Sequence, residues 1–193
     1  MGLEDETTLS TRDDAAPWAK LGIRITRTAL DALERDVRAR YATEEEACGY
    51  LSGPTDGVLC DEAVPLENMA KRLHALDPEA YFRSARTFFA FNEKKFDDAV
   101  RRGREAGRPV KVLYHSHLDA GAYFSPTDAS VLSFGEPPAF EGGPATLGPG
   151  PQWELAFLVT SVVGDAGGPR IADHKVFVWS GDAFVEAPLE IDD

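Results

Sequence analysis

The stretch HSHLDAGAYFSPTD, His115 to Asp128, holds the residue types best suited to chemistry. Along a strand, side chains two apart point the same way, so His115 and His117 would present two imidazoles to one spot. Two neutral imidazoles and a carboxylate make a three-ligand zinc set, and a fourth position left to water makes such a site catalytic rather than structural. Asp128, separated from His117 by ten residues, is the natural third ligand. Ser125-Pro126-Thr127-Asp128 reads as a helix start, with Ser125 at the cap and Pro126 at the first helical position. A loop between strand and helix would fold Asp128 back over the histidine pair. Spacing alone also fits a plainer picture, in which two polar histidines end a strand and the serine only caps a helix.

The strand that must carry the pair is Pro109 to Tyr114 (PVKVLY), which runs straight into His115. Upstream, LGIRIT from Leu21 alternates like a short strand. Thr26 then caps a helix whose Ala29, Leu30, Leu33 and Val37 recur at helical spacing. Ala47 to Ser52 and Gly57 to Val64 read as two strands, joined by a turn containing Gly53, Pro54, Asp56 and Gly57. Asp77-Pro78-Glu79 predicts a helix start. Tyr81, Ala85, Phe88, Phe89, Phe96 and Val100 would form that helix's apolar stripe, and Gly103 or Gly107 its end. The stretch from Gly135 to Pro151 is rich in Gly and Pro and has no period, so a loop or flap is expected there. Glu154 to Val163 and Lys175 to Trp179 are the last clear strands. Interleaved helices and strands point to an α/β fold with helices packed on a sheet. Residues 1–20 are expected to be an acidic arm, residues 21–185 the domain, and residues 186–193 an acidic tail.

Composition narrows the function classes. The 193 residues carry 20 Lys plus Arg against 33 Asp plus Glu, a net charge of −13, and 43% are hydrophobic. Such a balance disfavours nucleic acid and anionic membrane as partners, because both would be repelled. No run approaches the roughly 18 to 20 apolar residues needed to cross a bilayer. The start, MGLEDETTLS, lacks a basic stretch followed by an apolar one, and Glu6 stands where a myristoylation pattern needs Ser or Thr. Two cysteines, Cys48 and Cys60, do not make a disulfide framework, and a reducing cytoplasm is the expected setting. Cys48 lies in an apolar strand and reads as a small buried residue. His74 and His174 have no ligand-like neighbours at close spacing. The glycines at 142, 143 and 148 lack the strand and the Lys-Ser or Lys-Thr pair of a phosphate loop.

The segment from His115 to Asp128 resembles the metal-binding motif of the JAMM (MPN-plus) metallopeptidases: His-Ser-His, usually proline, several variable residues, then Ser-x-x-Asp. The family also has an upstream glutamate in a pattern like Glu-x-Cys-Gly-x-Leu-x-Gly. Here the corresponding run is Glu46-Ala47-Cys48-Gly49-Tyr50-Leu51-Ser52-Gly53. Leu118 replaces the usual proline after the second histidine and Phe124 a frequent proline before the serine; neither carries a ligand atom. They bear on loop shape and substrate preference.

The resemblance implies a mixed central sheet flanked by helices, the architecture shared with cytidine deaminases. It implies one Zn²⁺ held by His115, His117 and Asp128, with water in the fourth position. Among Glu44, Glu45 and Glu46 the residues themselves do not choose a general base; the match to the motif selects Glu46. Ser125 would donate a hydrogen bond to the oxyanion, beyond its plain role as a cap. The implied reaction is hydrolysis of the amide after the C-terminal glycine of a ubiquitin-like or sulfur-carrier protein. The segment PLENMAKRLHALDPEAYF, beginning at Pro65, is similar to the stand-alone subgroup acting on such carriers. The loop from 135 to 151 would then be a flap over the groove for the tail, or an idle insertion. Alternatives from other classes are a non-catalytic MPN-type scaffold and a zinc amidohydrolase for a small-molecule amide. A DNA-repair-associated branch is disfavoured by Ser116 and by Leu118-Asp119-Ala120, where that branch has Asn and then Pro-Ser-Gly.

Overall fold

The computed structural model describes residues 16–192. The acidic arm expected over residues 1–20 therefore falls mostly outside the described residues. Its last residues are not an arm: Trp18 opens a short helix α1 (Trp18–Leu21), is 3% exposed, and donates its indole N–H to the Glu154 carbonyl at 2.9 Å.

Strand β1 (Ile23–Thr26) leads into helix α2 (Arg27–Tyr41), where the Thr26 hydroxyl accepts the Ala29 N–H. Ala29, Leu30, Leu33 and Val37 are its buried face, as the spacing predicts. After β2 (Cys48–Ser52), the run expected as one strand over Gly57 to Val64 is split at Asp61 into β3 (Leu59–Cys60) and β4 (Glu62–Leu66). The split has a topological cause. β3 pairs in parallel with β1 in one sheet, whereas β4 pairs antiparallel with β2 in another. Pro65, which has no N–H to give a ladder, is tolerated because β4 is an edge strand.

The helix start expected at Asp77 is corrected by the structure. Asp77 instead caps the end of α3 (Ala70–Leu76), its N–H bonded to the Leu73 carbonyl. The Asp77 carboxylate does accept the N–H groups of Glu79 and Ala80, but no helix follows. The backbone of 85–90 has other partners: Glu46 N–H donates to the Ala85 carbonyl at 2.7 Å and Met69 N–H to the Ala90 carbonyl at 2.7 Å. The helix begins only at α4 (Glu93–Glu105), capped by the Asn92 side chain on Lys95 N–H. Phe96 and Val100 are its buried face.

Strand β5 (Val110–Leu118) is buried along its whole length and continues through both histidines. It is followed by α5 (Pro126–Leu132), β6 (Ala156–Val163), β7 (Arg170–Trp179), β8 (Phe184–Ala187) and β9 (Leu189–Asp192). Among the described residues the strands form a three-stranded sheet, β3-β1-β9, and a six-stranded one, β4-β2-β5-β6-β7-β8. The larger sheet is mixed: β5 runs parallel to β6 and antiparallel to β2. Residues 186–192 are not a tail, because β9 lies parallel to β1 from Leu189 to Asp192.

Two apolar layers cover the larger sheet. On one side Val112, Tyr114 and Leu118 of β5 pack with α1 and α2 through Trp18, Leu30 and Leu33. On the other, Leu113 packs with Phe96, Val100 and Leu132. The strand's period of two sets His115 and His117 on the Leu113 side. Gly49 faces Tyr114 across the β2/β5 ladder, and a Cβ there would lie 2.4 Å from the tyrosine ring, so glycine is required for this pairing. The Tyr114 hydroxyl then reaches Asp36 of α2 at 3.0 Å.

Candidate metal centre

The site assembles at the C-terminal end of β5. His115 is 1% and His117 6% exposed, and their Nε2 atoms are 3.2 Å apart. Asp128, in the first turn of α5 and 8% exposed, places Oδ2 at 3.3 Å from the His115 Nε2 and 3.4 Å from the His117 Nε2. A carbonyl can only accept, so His117 Nδ1, 2.9 Å from the Gly121 carbonyl, carries a proton, and Nε2 is the ring nitrogen left to serve a metal. Phe89 stacks on the His115 ring with centroids 4.6 Å apart, and Tyr123 meets the His117 ring edge-on at 4.9 Å.

Burial alone would raise the Asp128 pKa; attraction and hydrogen bonds from His115 and His117 outweigh it and hold the carboxyl well below the usual carboxylate range. One anionic oxygen and two imidazole nitrogens thus converge, with ligand atoms within 4.8 Å of one another. This donor set fits a divalent metal ion of the zinc type, for which imidazole and carboxylate are ordinary ligands. Among the described residues no other group of three His, Cys, Asp or Glu is so placed.

The structure separates the three consecutive glutamates. Glu44 ion-pairs with Arg86, and Glu45 with Arg40 (3.2 Å) and Lys71 (2.6 Å). Glu46 turns inward and is 4% exposed. Burial first, and the Asp128 charge second, push its carboxyl pKa well up. Cys48 stands opposite His115 in the β2/β5 register, which fixes Glu46 just beyond the end of that ladder. Ser116, between the histidines, accepts the Ala47 N–H on its hydroxyl at 2.8 Å and donates its own N–H to the Ala47 carbonyl. The middle residue of His-Ser-His therefore ties the Glu46 segment to the histidine strand.

Ser125 forms a capping box with Asp128. Its hydroxyl donates to Asp128 Oδ2 at 2.6 Å and accepts the Asp128 N–H at 3.1 Å, while Ser125 N–H donates to the same carboxylate oxygen. The cap thus also orients the carboxylate oxygen that faces both imidazoles. Cys48 is buried and its thiol is pushed up to about 12 by burial, so it is no thiolate at neutral pH. His174 bonds Thr160 (2.9 Å) and Glu34 (3.2 Å) away from the site, and His74 meets the Tyr81 carbonyl.

Asn68 is a positioning residue that spacing did not reveal. Its amide donates to the carbonyls of Glu46 (3.0 Å) and Phe88 (3.1 Å), and its oxygen accepts the N–H groups of Ala70 (2.9 Å) and Ala90 (3.2 Å). One buried side chain joins the Glu46 segment, the segment beneath His115 and the start of α3. A solitary Asn in a polar run gives no periodic signal.

The sequence profile of the prokaryotic homologs of the JAB domain matches residues 27–139, more than half of the chain. The chain belongs to that family. The match spans Glu46, His115, His117, Ser125 and Asp128 of this JAB-domain protein. No curated protein sequence matches it. Among solved structures it is similar to the solution structure of DSY2949 from Desulfitobacterium hafniense, at 20% identity over 89% of this chain and 93% of that one, with a TM-score of 0.55. A crystal structure of AF2198, a JAB1/MPN domain protein from Archaeoglobus fulgidus, is 16% identical over 89% of this chain and 100% of that one, with a TM-score of 0.45. A protein from Salinibacter ruber is 20% identical over 89% and 92%, with a TM-score of 0.47.

Proposed function

We propose that this JAB-domain protein is a zinc-dependent peptidase or isopeptidase acting on the amide after the C-terminal glycine of a ubiquitin-like or sulfur-carrier protein. The observation that carries the reading is Glu46: a buried carboxyl, brought by the segment just before β2 close enough to Asp128 of the His115, His117 and Asp128 cluster to feel its charge. A buried acid there supports a catalytic role over that of a scaffold. Burying a carboxyl close to a second carboxylate costs free energy, and such costs concentrate at functional sites.

A zinc ion held by His115, His117 and Asp128 would supply Lewis acidity and bring the pKa of water from about 15.7 to about 7. Glu46 takes the proton of the attacking water and returns it to the leaving amine, for which a raised pKa is the suitable setting. Ser125, turning its hydroxyl away from Asp128, donates a hydrogen bond to the developing oxyanion. Phe89, stacked on His115, covers one face of that ring, and Tyr123 meets the His117 ring edge-on.

A groove of about 660 Å³ opens beside Ser125, between residues 82–87 and residues 138–143 of the Gly/Pro-rich loop. A thin, extended diglycine tail suits it, and the loop then serves as a flap. The test is a panel of carrier-protein fusions incubated with and without chelator, with products identified by mass spectrometry. Cleavage directly after glycine that chelator abolishes supports the reading. Turnover of small amides alone would replace it with an amidohydrolase, and no turnover with intact metal binding would leave a scaffold.

A further inference from the structure

The loop from 135 to 151 is built to be stiff at its base. Gly135 N–H donates to the Ser130 carbonyl at 2.7 Å, and Glu136 and Thr146 form a two-way bridge at 2.9 Å. Buried Ser133 accepts the Gly148 N–H on its hydroxyl at 3.0 Å and the Gly150 N–H on its carbonyl at 3.2 Å. At Gly135 and Gly148 a Cβ would come within 1.9 and 2.1 Å of backbone oxygens, so no larger residue fits this neck. The segment just beyond that neck is held differently. One side chain from the opposite wall of the groove reaches it: Arg83 Nη2 donates to the Pro138 carbonyl at 2.7 Å, with its guanidinium over the Phe82 ring at 4.5 Å.

We infer that Arg83 is a specificity-determining latch, which sets the width of the groove leading to Ser125 by tying its two walls together. The inference rests on the proposed peptidase reading and adds a residue to it. Arg83 and Pro138 line the same groove, with Ser125 and Thr127 also on its surface. The tip closing the far wall is Gly142-Gly143, where Gly142 has φ +75° and a Cβ on Gly143 would press on Phe140 at 3.1 to 3.3 Å. Walls held at a fixed separation admit a chain of small residues and exclude branched ones. The guanidinium suits the task because its planar fork can stack on Phe82 and still donate to a carbonyl. Arg83 touches no metal ligand and is a positioning residue for the loop.

The fusion cleaved in the panel is made in two forms, with glycine or valine two residues before the scissile bond. Wild-type protein is expected to prefer glycine at least tenfold in kcat/KM. Arg83→Ala should reduce that preference about tenfold, mainly by lowering KM for the valine form, and Arg83→Lys should keep part of it. Equal slowing of both forms would overturn the latch. If no fusion is cleaved, the peptidase reading fails and the latch is judged by hydrogen exchange. Faster exchange of amides 139–143 in Arg83→Ala, with the Gly135 and Gly148 amides unchanged, supports it; unchanged exchange at the tip overturns it.

Discussion

Glu44, Glu45 and Glu46 are chemically alike and adjacent, yet the fold gives only the last to the metal centre. Arg86 draws Glu44 outward, and Arg40 with Lys71 draws Glu45, so the remaining carboxyl turns inward. Glu46→Gln keeps the shape and removes the proton acceptor. It should retain metal, measured by elemental analysis, and lose roughly 100- to 10,000-fold in turnover of the cleaved fusion. Full activity in that variant would remove Glu46 from the mechanism. Ser125→Ala should show two separable effects. Loss of the cap lowers stability by about 1 kcal/mol in urea unfolding, and loss of the oxyanion donor lowers kcat by roughly 100- to 1,000-fold. A stability loss alone would restrict the serine to capping. The histidine pair and Asp128 were legible in the sequence because strand spacing and a helix-start pattern have fixed geometry. The choice of Glu46 among the glutamates came only from the motif resemblance, because in the fold it depends on Arg40, Lys71 and Arg86, whose placement no local pattern gives.

At the scale of elements, the amphipathic helix α2 and the strand carrying the histidines followed from periodicity. The segment from 77 to 92 did not. Asp-Pro-Glu and the phenylalanines satisfy a helical template, but Asn68 and the Glu46 backbone take up the polar groups of 85–90 before a helix can. Tertiary hydrogen bonds override local propensity here. Asn68→Ala would leave four backbone groups without this partner and should lower stability by about 2 to 4 kcal/mol, a fall in Tm of roughly 5 to 15 °C. The β6/β7 pair carries a pH response away from the site. Burial lowers the pKa of His174 despite the pull of Glu34. The folded chain thus binds that proton more weakly than the unfolded one, so stability is greatest above the ordinary histidine value of 6.5 and declines as pH falls through it. Urea midpoints at pH 7.5 and 5.5 should differ less in His174→Gln, whose amide can still serve Thr160 and Glu34, than in wild type.

For the whole molecule, the expected α/β fold with a mixed sheet is present, whereas the outer limits of the domain were misplaced. The charge-rich ends read as solvated arms, yet Trp18 enters the core and β9 joins β1. Short edge strands with alternating charge have little apolar signal, and their partner lies at the other end of the chain. A metal bound only by the folded state should stabilise the entire molecule by linkage, about 2.7 kcal/mol at a free concentration 100 times Kd. Thermal unfolding with zinc and with chelator measures this, and His115→Ala should abolish the difference. Among the described residues no helix is long and apolar enough to cross a membrane.

The parallel pairing of β5 with β6 obliges the chain to leave the sheet after Leu118 and return at Ala156. That excursion carries Asp128, Ser125 and the loop with its glycine neck, while the imidazoles stay in the sheet itself. Inheritance can therefore act on the two parts separately. Variation at the loop tip, between the neck positions, can accumulate without disturbing the ladders that align the histidines with Glu46. Related chains should accordingly diverge at the loop tip long before they diverge around His115, His117 and Glu46.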